Sequence, residues 1–181
     1  MVMWRIRKIE SLAKIRMCKR VFAEQTTING EIPFFKIGTF GKKPDAYISK
    51  RLFDEYKAKY SFPNKGDILL SASGTLGRTV AYDGEPAYFQ DSNIVWFEID
   101  KKQICNEFLY YCCQNIKWAS SEGGTIARLY NAILYDTEIP IPSLLEQRKT
   151  KSKQQMKKEW EKEIAKKVKE FNKSEKGKFG R

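Results

Sequence analysis

Histidine is absent from all 181 residues. That removes the commonest general base and any Ser-His-Asp triad. Cysteine is scarce, with four residues at 18, 105, 112 and 113, and none forms a C-x-x-C pair. Without histidine or paired cysteines a zinc site has no support, so no metal and no cofactor is expected. The cysteines are expected to be small buried hydrophobes in a reducing compartment. Long apolar runs are also missing: no stretch nears the roughly 20 residues that cross a bilayer. The segment MVMWRIRKIE is basic but no apolar run follows it, unlike a secretory leader. The expected location is the cytoplasm.

Positive charge is abundant, at a formal +12. It is unevenly placed. Residues 146–181 hold 14 Lys and Arg against 6 Asp and Glu, a net +8, and residues 1–145 the remaining +4. A basic chain suits a polyanion such as nucleic acid, although a Lys-rich tail is also what a solvated helix face looks like.

The composition changes at EIPIPSLLEQRKT, residues 138–150. Before it, aromatic, glycine and β-branched residues alternate with turns. After it come Lys, Glu and Gln without proline. Pro140 and Pro142 hold the chain extended. Ser143 followed by Glu146 forms a capping-box pattern, so a helix is expected to start there. Running to about residue 172, it would be roughly 45 Å long. Its apolar positions Met156, Trp160, Ile164, Val168 and Phe171 form one narrow stripe, suited to a partner helix. The expected division is a body at 1–142, a helix at 143–174 and a disordered tail at 175–181.

The body reads as α+β. Strands are expected at 68–72, 78–82 and 87–99, with turns at Gly74–Gly77 and Asp83-Gly84. Helices are expected at 48–60 and 103–120, the second substantially buried, with the chain turning off it over 123–134. The third strand is interrupted by Gln90, Asp91, Ser92 and Asn93, four polar side chains in a segment that otherwise wants burial.

Enzyme motifs are few. GTLGRT lacks the P-loop spacing, and no G-x-G-x-x-G occurs. Neither a methyl-donor loop nor an Asn/Asp-Pro-Pro-aromatic motif is present. Pro44-Asp45 and Glu55-x-Lys57 match by letter the P-D…E-x-K pattern of Mg²⁺-dependent nucleases. Glu55 and Lys57, however, lie two apart in a helical stretch and face opposite ways.

Direct reading of DNA needs Arg, Lys, Gln and Asn on loops. KIGTFGKKPDAY supplies Lys36, Lys42, Lys43 and Tyr47; SGTLGR supplies Thr75 and Arg78; QDSN supplies Gln90 and Asn93. GGTIARLYN supplies Thr125, Arg128 and Asn131. Taken one at a time, each segment is equally a turn bonded to its own backbone.

In order, GDILLSASGTLGRTVAYDGEPAYFQDSNIVWF, GGTIARLYNAIL and IPIPSLLEQRK resemble the specificity subunit of type I restriction–modification systems. The resemblance spans roughly residues 4–150. It implies a mixed α/β target recognition domain with a small twisted sheet, followed by one long coiled-coil spacer helix. Family members carry two of each, so this chain is similar to half a subunit. Such a subunit is not itself catalytic. The resemblance implies that the domain reads half of a bipartite double-stranded DNA target. It also implies docking to methyltransferase (modification) subunits and, through them, to the restriction subunit. A homodimer through Met156, Trp160, Ile164 and Val168 would present two readers. The stretch after residue 148 is richer in lysine and poorer in Ile and Leu than the family's spacer helices. The rival expectations are the Asp45/Glu55/Lys57 nuclease, and an interaction protein whose basic helix binds an acidic partner.

Overall fold

The computed structural model describes residues 4–118 and 128–148, together with Lys158 and Lys162. In chain order, β1 is Arg5–Lys8, β2 Ala13–Arg16, β3 Ile32–Phe35 and β4 Tyr47–Ile48. Helix α1, Lys50–Lys59, follows; Ser49 caps it by accepting the Leu52 N–H at 3.2 Å. Then come β5 Ile68–Ser71, β6 Thr79–Ala81, β7 Tyr88–Phe89 and β8 Ile94–Ile99. The chain continues through α2 Asn106–Asn115, α3 Asn131–Asp136, β9 Glu138–Ile141 and α4 Leu144–Arg148.

The expected single small sheet is three sheets among the described residues. Four strands run in the order β2-β8-β5-β6, three in the order β4-β3-β7, and β1 pairs with β9. The segment 87–99, expected as one interrupted strand, belongs to two of them. β7 pairs parallel with β3, whereas β8 pairs antiparallel with β2 and β5. Between them the chain turns at the polar block, where Ser92 takes a positive φ of 61°.

Strands β5 and β8 explain the molecule's two cores. Alternate side chains of a strand point to opposite faces. Ile68 and Leu70 of β5, with Val95 and Phe97 of β8, face a core that also holds Phe108, Leu109 and Cys112 of α2. Leu69, Ile94 and Trp96 face the other core, built from Phe34, Phe53, Tyr88 and Phe89. Both faces are covered, which is why ILL and IVWF are continuous apolar runs rather than alternating ones.

Helix α2 is shorter than the expected 103–120. At its start Cys105 is extended, and the N–H groups of Gln103 and Ile104 bond to the Asp100 carbonyl in a preceding turn. At its end Ile116 is extended, and the Trp118 indole N–H donates to the Cys113 carbonyl at 3.2 Å. That side chain satisfies an orphan carbonyl of the last turn and stops the helix.

Ser143 precedes α4 as expected, but its hydroxyl meets the Glu146 carboxylate at 3.2 Å instead of closing a reciprocal box to the backbone. Gln147 is buried, and its side chain bonds to the backbone of Cys105 and Gln103, so α4 packs against the body. Among the described residues no helix is long and apolar enough to cross a membrane. The expected dimer stripe at Met156, Trp160, Ile164 and Val168, together with Phe171 and the tail, lies outside the described residues, as does Thr125.

Candidate nucleic-acid interface

Three loops and one arginine expected to read DNA meet in the fold. The 36–42 turn is closed by Thr39 and Phe40 N–H groups donating to the Lys36 carbonyl. Gln90 ties it to the polar block: Gln90 Oε1 accepts the Ile37 N–H at 2.9 Å, and the Gln90 N–H donates to the Phe35 carbonyl at 2.9 Å. Arg78 ties it to the β5–β6 turn, its Nη1 donating to the Phe40 carbonyl at 2.7 Å. The Arg78 backbone N–H donates to Ser71 Oγ at 2.8 Å. Glycines 74 and 77 hold that turn at φ of 65° and 78°. A Cβ on Gly77 would sit 2.4 Å from Trp118 Cδ1, so only glycine fits there.

Asn93 is the hub of the other side. Its Oδ1 accepts from Ser73 Oγ at 2.7 Å and from Arg128 Nη2 at 2.9 Å. Ser73 and Arg128 also pair as an isolated bridge, and the Leu129 N–H donates to the Ala72 carbonyl. Gln90, Asn93, Arg78 and Arg128 are thus linked by side-chain and backbone bonds through the Ile37, Phe40, Ser71 and Ser73 neighbourhoods. The polar block braces these loops, which answers why a buried strand is broken by polar groups: each amide oxygen meets a donor that would otherwise be unpaired.

The remaining charges divide. The only carboxylate in the block, Asp91, is paired with Arg20 Nε at 2.9 Å and its side chain is 14% exposed. Lys36 pairs with Asp45 at 2.9 Å. Lys42 and Lys43 are exposed, Thr75 is exposed, and Tyr47 is half-buried in β4 opposite Pro33. Asn131 opens α3 and is exposed. Sequence inspection missed Ser71, Ser73 and Arg20. A serine beside a glycine reads as turn chemistry, and nothing local shows that its hydroxyl is the donor holding an asparagine 20 residues away.

The nuclease string does not act as one constellation. Asp45 is engaged with Lys36, Glu55 with Lys59 one turn along α1 at 3.0 Å, and Lys57 lies over the rings of Phe53 and Phe62. Among the described residues no group of three or more His, Cys, Asp or Glu is placed to hold a metal ion. The cysteines are poor nucleophiles. Burial pushes the Cys18 thiol up to about 12 and drives Cys112 and Cys113 up as well.

A family model described as "Type I restriction modification DNA specificity domain" matches residues 1–178. A Haemophilus influenzae protein that carries the name of a type I restriction enzyme specificity subunit is 59% identical over 140 residues. That alignment takes in 77% of this chain and 36% of the relative, so the chain spans about a third of that protein's length. Among solved structures, a type I restriction–modification S subunit from M. genitalium superposes with a TM-score of 0.59 at 21% identity. It covers 80% of this chain and 36% of that one. A chain from work on complex assembly and conformational transition of the type I R-M system gives 0.61 at 19% identity, covering 95% and 42%. At such identities the superpositions speak for a shared fold, while the family model and the Haemophilus relative carry the sequence kinship. This chain belongs to the type I restriction modification DNA specificity domain family.

Proposed function

We propose that the chain is the DNA-reading unit of a type I specificity subunit, recognising half of a bipartite double-stranded target. The observation that carries this reading is the convergence of the 36–43, 73–78 and 90–93 loops with Arg128 into one bonded group. It gathers amide, guanidinium and lysine donors, the groups that hydrogen-bond base edges and phosphates. The unit is not itself catalytic and takes no cofactor. It docks the methyltransferase subunits and, through them, the restriction subunit, in the cytoplasm. Met156, Trp160, Ile164 and Val168 form a seam on which two copies pair, so the full target is an interrupted palindrome.

The test is selection of bound duplexes from a random library, followed by gel shifts on the enriched sequences. Enrichment of one short motif is expected, repeated in inverted order. Tight binding without any sequence preference would refute the reading. Truncation after residue 150 separates it from a basic-helix interaction protein: the body keeps Gln147 and is expected to keep half-site binding. A cut before Gln147 would remove its bonds to Cys105, Gln103 and Pro142 and confound folding with function. Nicking of plasmid in Mg²⁺ by the purified chain would revive the nuclease.

A further inference from the structure

We infer that Gln90 and Asn93 present only hydrogen-bond donors to DNA, and so select guanine and reject cytosine at the positions they face. An unconstrained Asn or Gln offers one acceptor and one donor group, and pairs bidentately with adenine. Here the acceptor half is bonded inward: both lone pairs of the Asn93 oxygen are taken, and one of the Gln90 oxygen. Asn93 Oδ1 takes Arg128 Nη2 and Ser73 Oγ; Gln90 Oε1 takes the Ile37 N–H. A guanidinium and a backbone amide can only donate, so the atoms facing them must be oxygens and the amide orientations are fixed by chemistry. The NH₂ groups therefore point the other way. Among the described residues neither nitrogen has a hydrogen-bond partner, and neither belongs to the buried atoms that lack one. Both residues are half-buried.

The surroundings reinforce this polarity. Asp91, which could accept from the cytosine amino group, is held by Arg20. Arg78 and Arg128 each spend one nitrogen on an inward oxygen, and guanidinium has only donors to offer. In the major groove guanine alone shows two adjacent acceptors, O6 and N7, while cytosine shows a donor and adenine one of each. The outward amide nitrogens and the guanidinium groups therefore fit the two acceptors of guanine and oppose the donor of cytosine.

The inference rests on the DNA-reading role proposed above, and the experiment separates the two. Wild-type full-length chain is first used to select duplexes from a random library. Guanine is expected within the selected half-site, and 7-deazaguanine, which lacks the N7 acceptor, is expected to weaken binding roughly tenfold at the facing positions. Then N93D and Q90E are put through the same selection. Each keeps every inward bond, because Oδ1 or Oε1 still accepts, and each replaces the outward NH₂ with an acceptor oxygen. Each is expected to exchange one guanine for cytosine while leaving the other positions unchanged. No sequence selection by the wild-type chain would sink the DNA-reading role itself. A selected half-site without guanine, or indifference to 7-deazaguanine, overturns the donor-only inference alone. So does an unchanged motif in both variants, or an equal loss on all sequences.

Discussion

Gln147 ties α4 to the body of the fold, and two substitutions test how much it contributes. The side chain is 6% exposed. Its Oε1 accepts the Cys105 N–H at 2.9 Å, while Nε2 donates to the carbonyls of Gln103 at 2.9 Å and Pro142 at 3.1 Å. One backbone donor and two backbone acceptors, buried at Pro142 and part-buried at Cys105 and Gln103, thus depend on one primary amide. Leucine is close to it in size but strands all three groups. A buried polar group left unpaired costs about 1–3 kcal/mol. Carbonyls can shift toward other donors, and the new apolar side chain returns about 1 kcal/mol of burial. A net loss of about 3 kcal/mol is expected for Q147L, a large part of the roughly 5–15 kcal/mol that holds a domain folded.

Glutamate sharpens the test. It still accepts from Cys105, but an ionised carboxylate would face two carbonyl oxygens and must take up a proton to donate to either. Burial and those oxygens raise its folded pKa above the unfolded value of about 4.3. The folded chain then binds more protons than the unfolded one, so stability falls as pH rises from about 4.3 through the folded pKa. Urea unfolding followed by tryptophan fluorescence between about pH 5 and pH 8 is the assay, with the wild-type chain as reference. Q147L is expected to show a constant deficit, and Q147E the smallest deficit at the acid end, widening toward the alkaline end. A deficit within about 0.5 kcal/mol for Q147L, or a pH-independent deficit for Q147E, would refute the clamp.

Other expectations follow from the same contacts. G77A forces a Cβ against the Trp118 ring in a left-handed turn, and should cost about 2 kcal/mol or more and shift tryptophan emission. An unchanged melting temperature would contradict that packing. Thiol reagent at about pH 8 should label Cys18, Cys112 and Cys113 only after denaturant is added, because burial keeps them protonated; rapid labelling of the native chain counts against the two cores. R78A frees the Phe40 carbonyl and loosens the 36–42 turn, so specific binding should weaken by about 1–3 kcal/mol. A loss uniform across sequences would instead mark Arg78 as a phosphate contact. W160K should give monomers by sedimentation, and an unaltered coefficient would discount the proposed helix seam.

Local chemistry made some of the fold legible before any coordinates. The apolar spacing of Leu52, Phe53 and Tyr56 marks α1 to within two residues at each end, while the Ser49 cap emerges only from the structure. ILL and IVWF mark β5 and β8 because both faces are buried. What stayed hidden are relations between distant segments. Period-two alternation says that Leu69 and Leu70 face opposite ways, but not that one meets Phe34's core and the other Phe108's. Nothing near Tyr88 reveals that it pairs parallel with Phe34, so one broken strand was expected where two sheets share a turn. Gln147 was equally opaque. Set among Glu, Arg and Lys it looks like helix surface, and only its three backbone partners, two of them over 40 residues away, make it core.

The polar block shows how one set of residues can carry both stability and selectivity. An amide has two ends of opposite hydrogen-bonding sense. In Asn93 and Gln90 the oxygen end closes the loops, bonding across 35 residues to Arg128 and across 53 to Ile37. Fixing that end fixes the other, so the loop scaffold itself dictates which base edge can be met. Exchanging nitrogen for oxygen at the free end alters the message without touching the scaffold, whereas removing the side chain alters both. An alanine scan would therefore overstate the role of these residues in DNA contact, because it would add the cost of stranding Ser73, Arg128 and the Ile37 amide to any lost base pair contact. Isosteric exchange is the perturbation that keeps the two contributions apart.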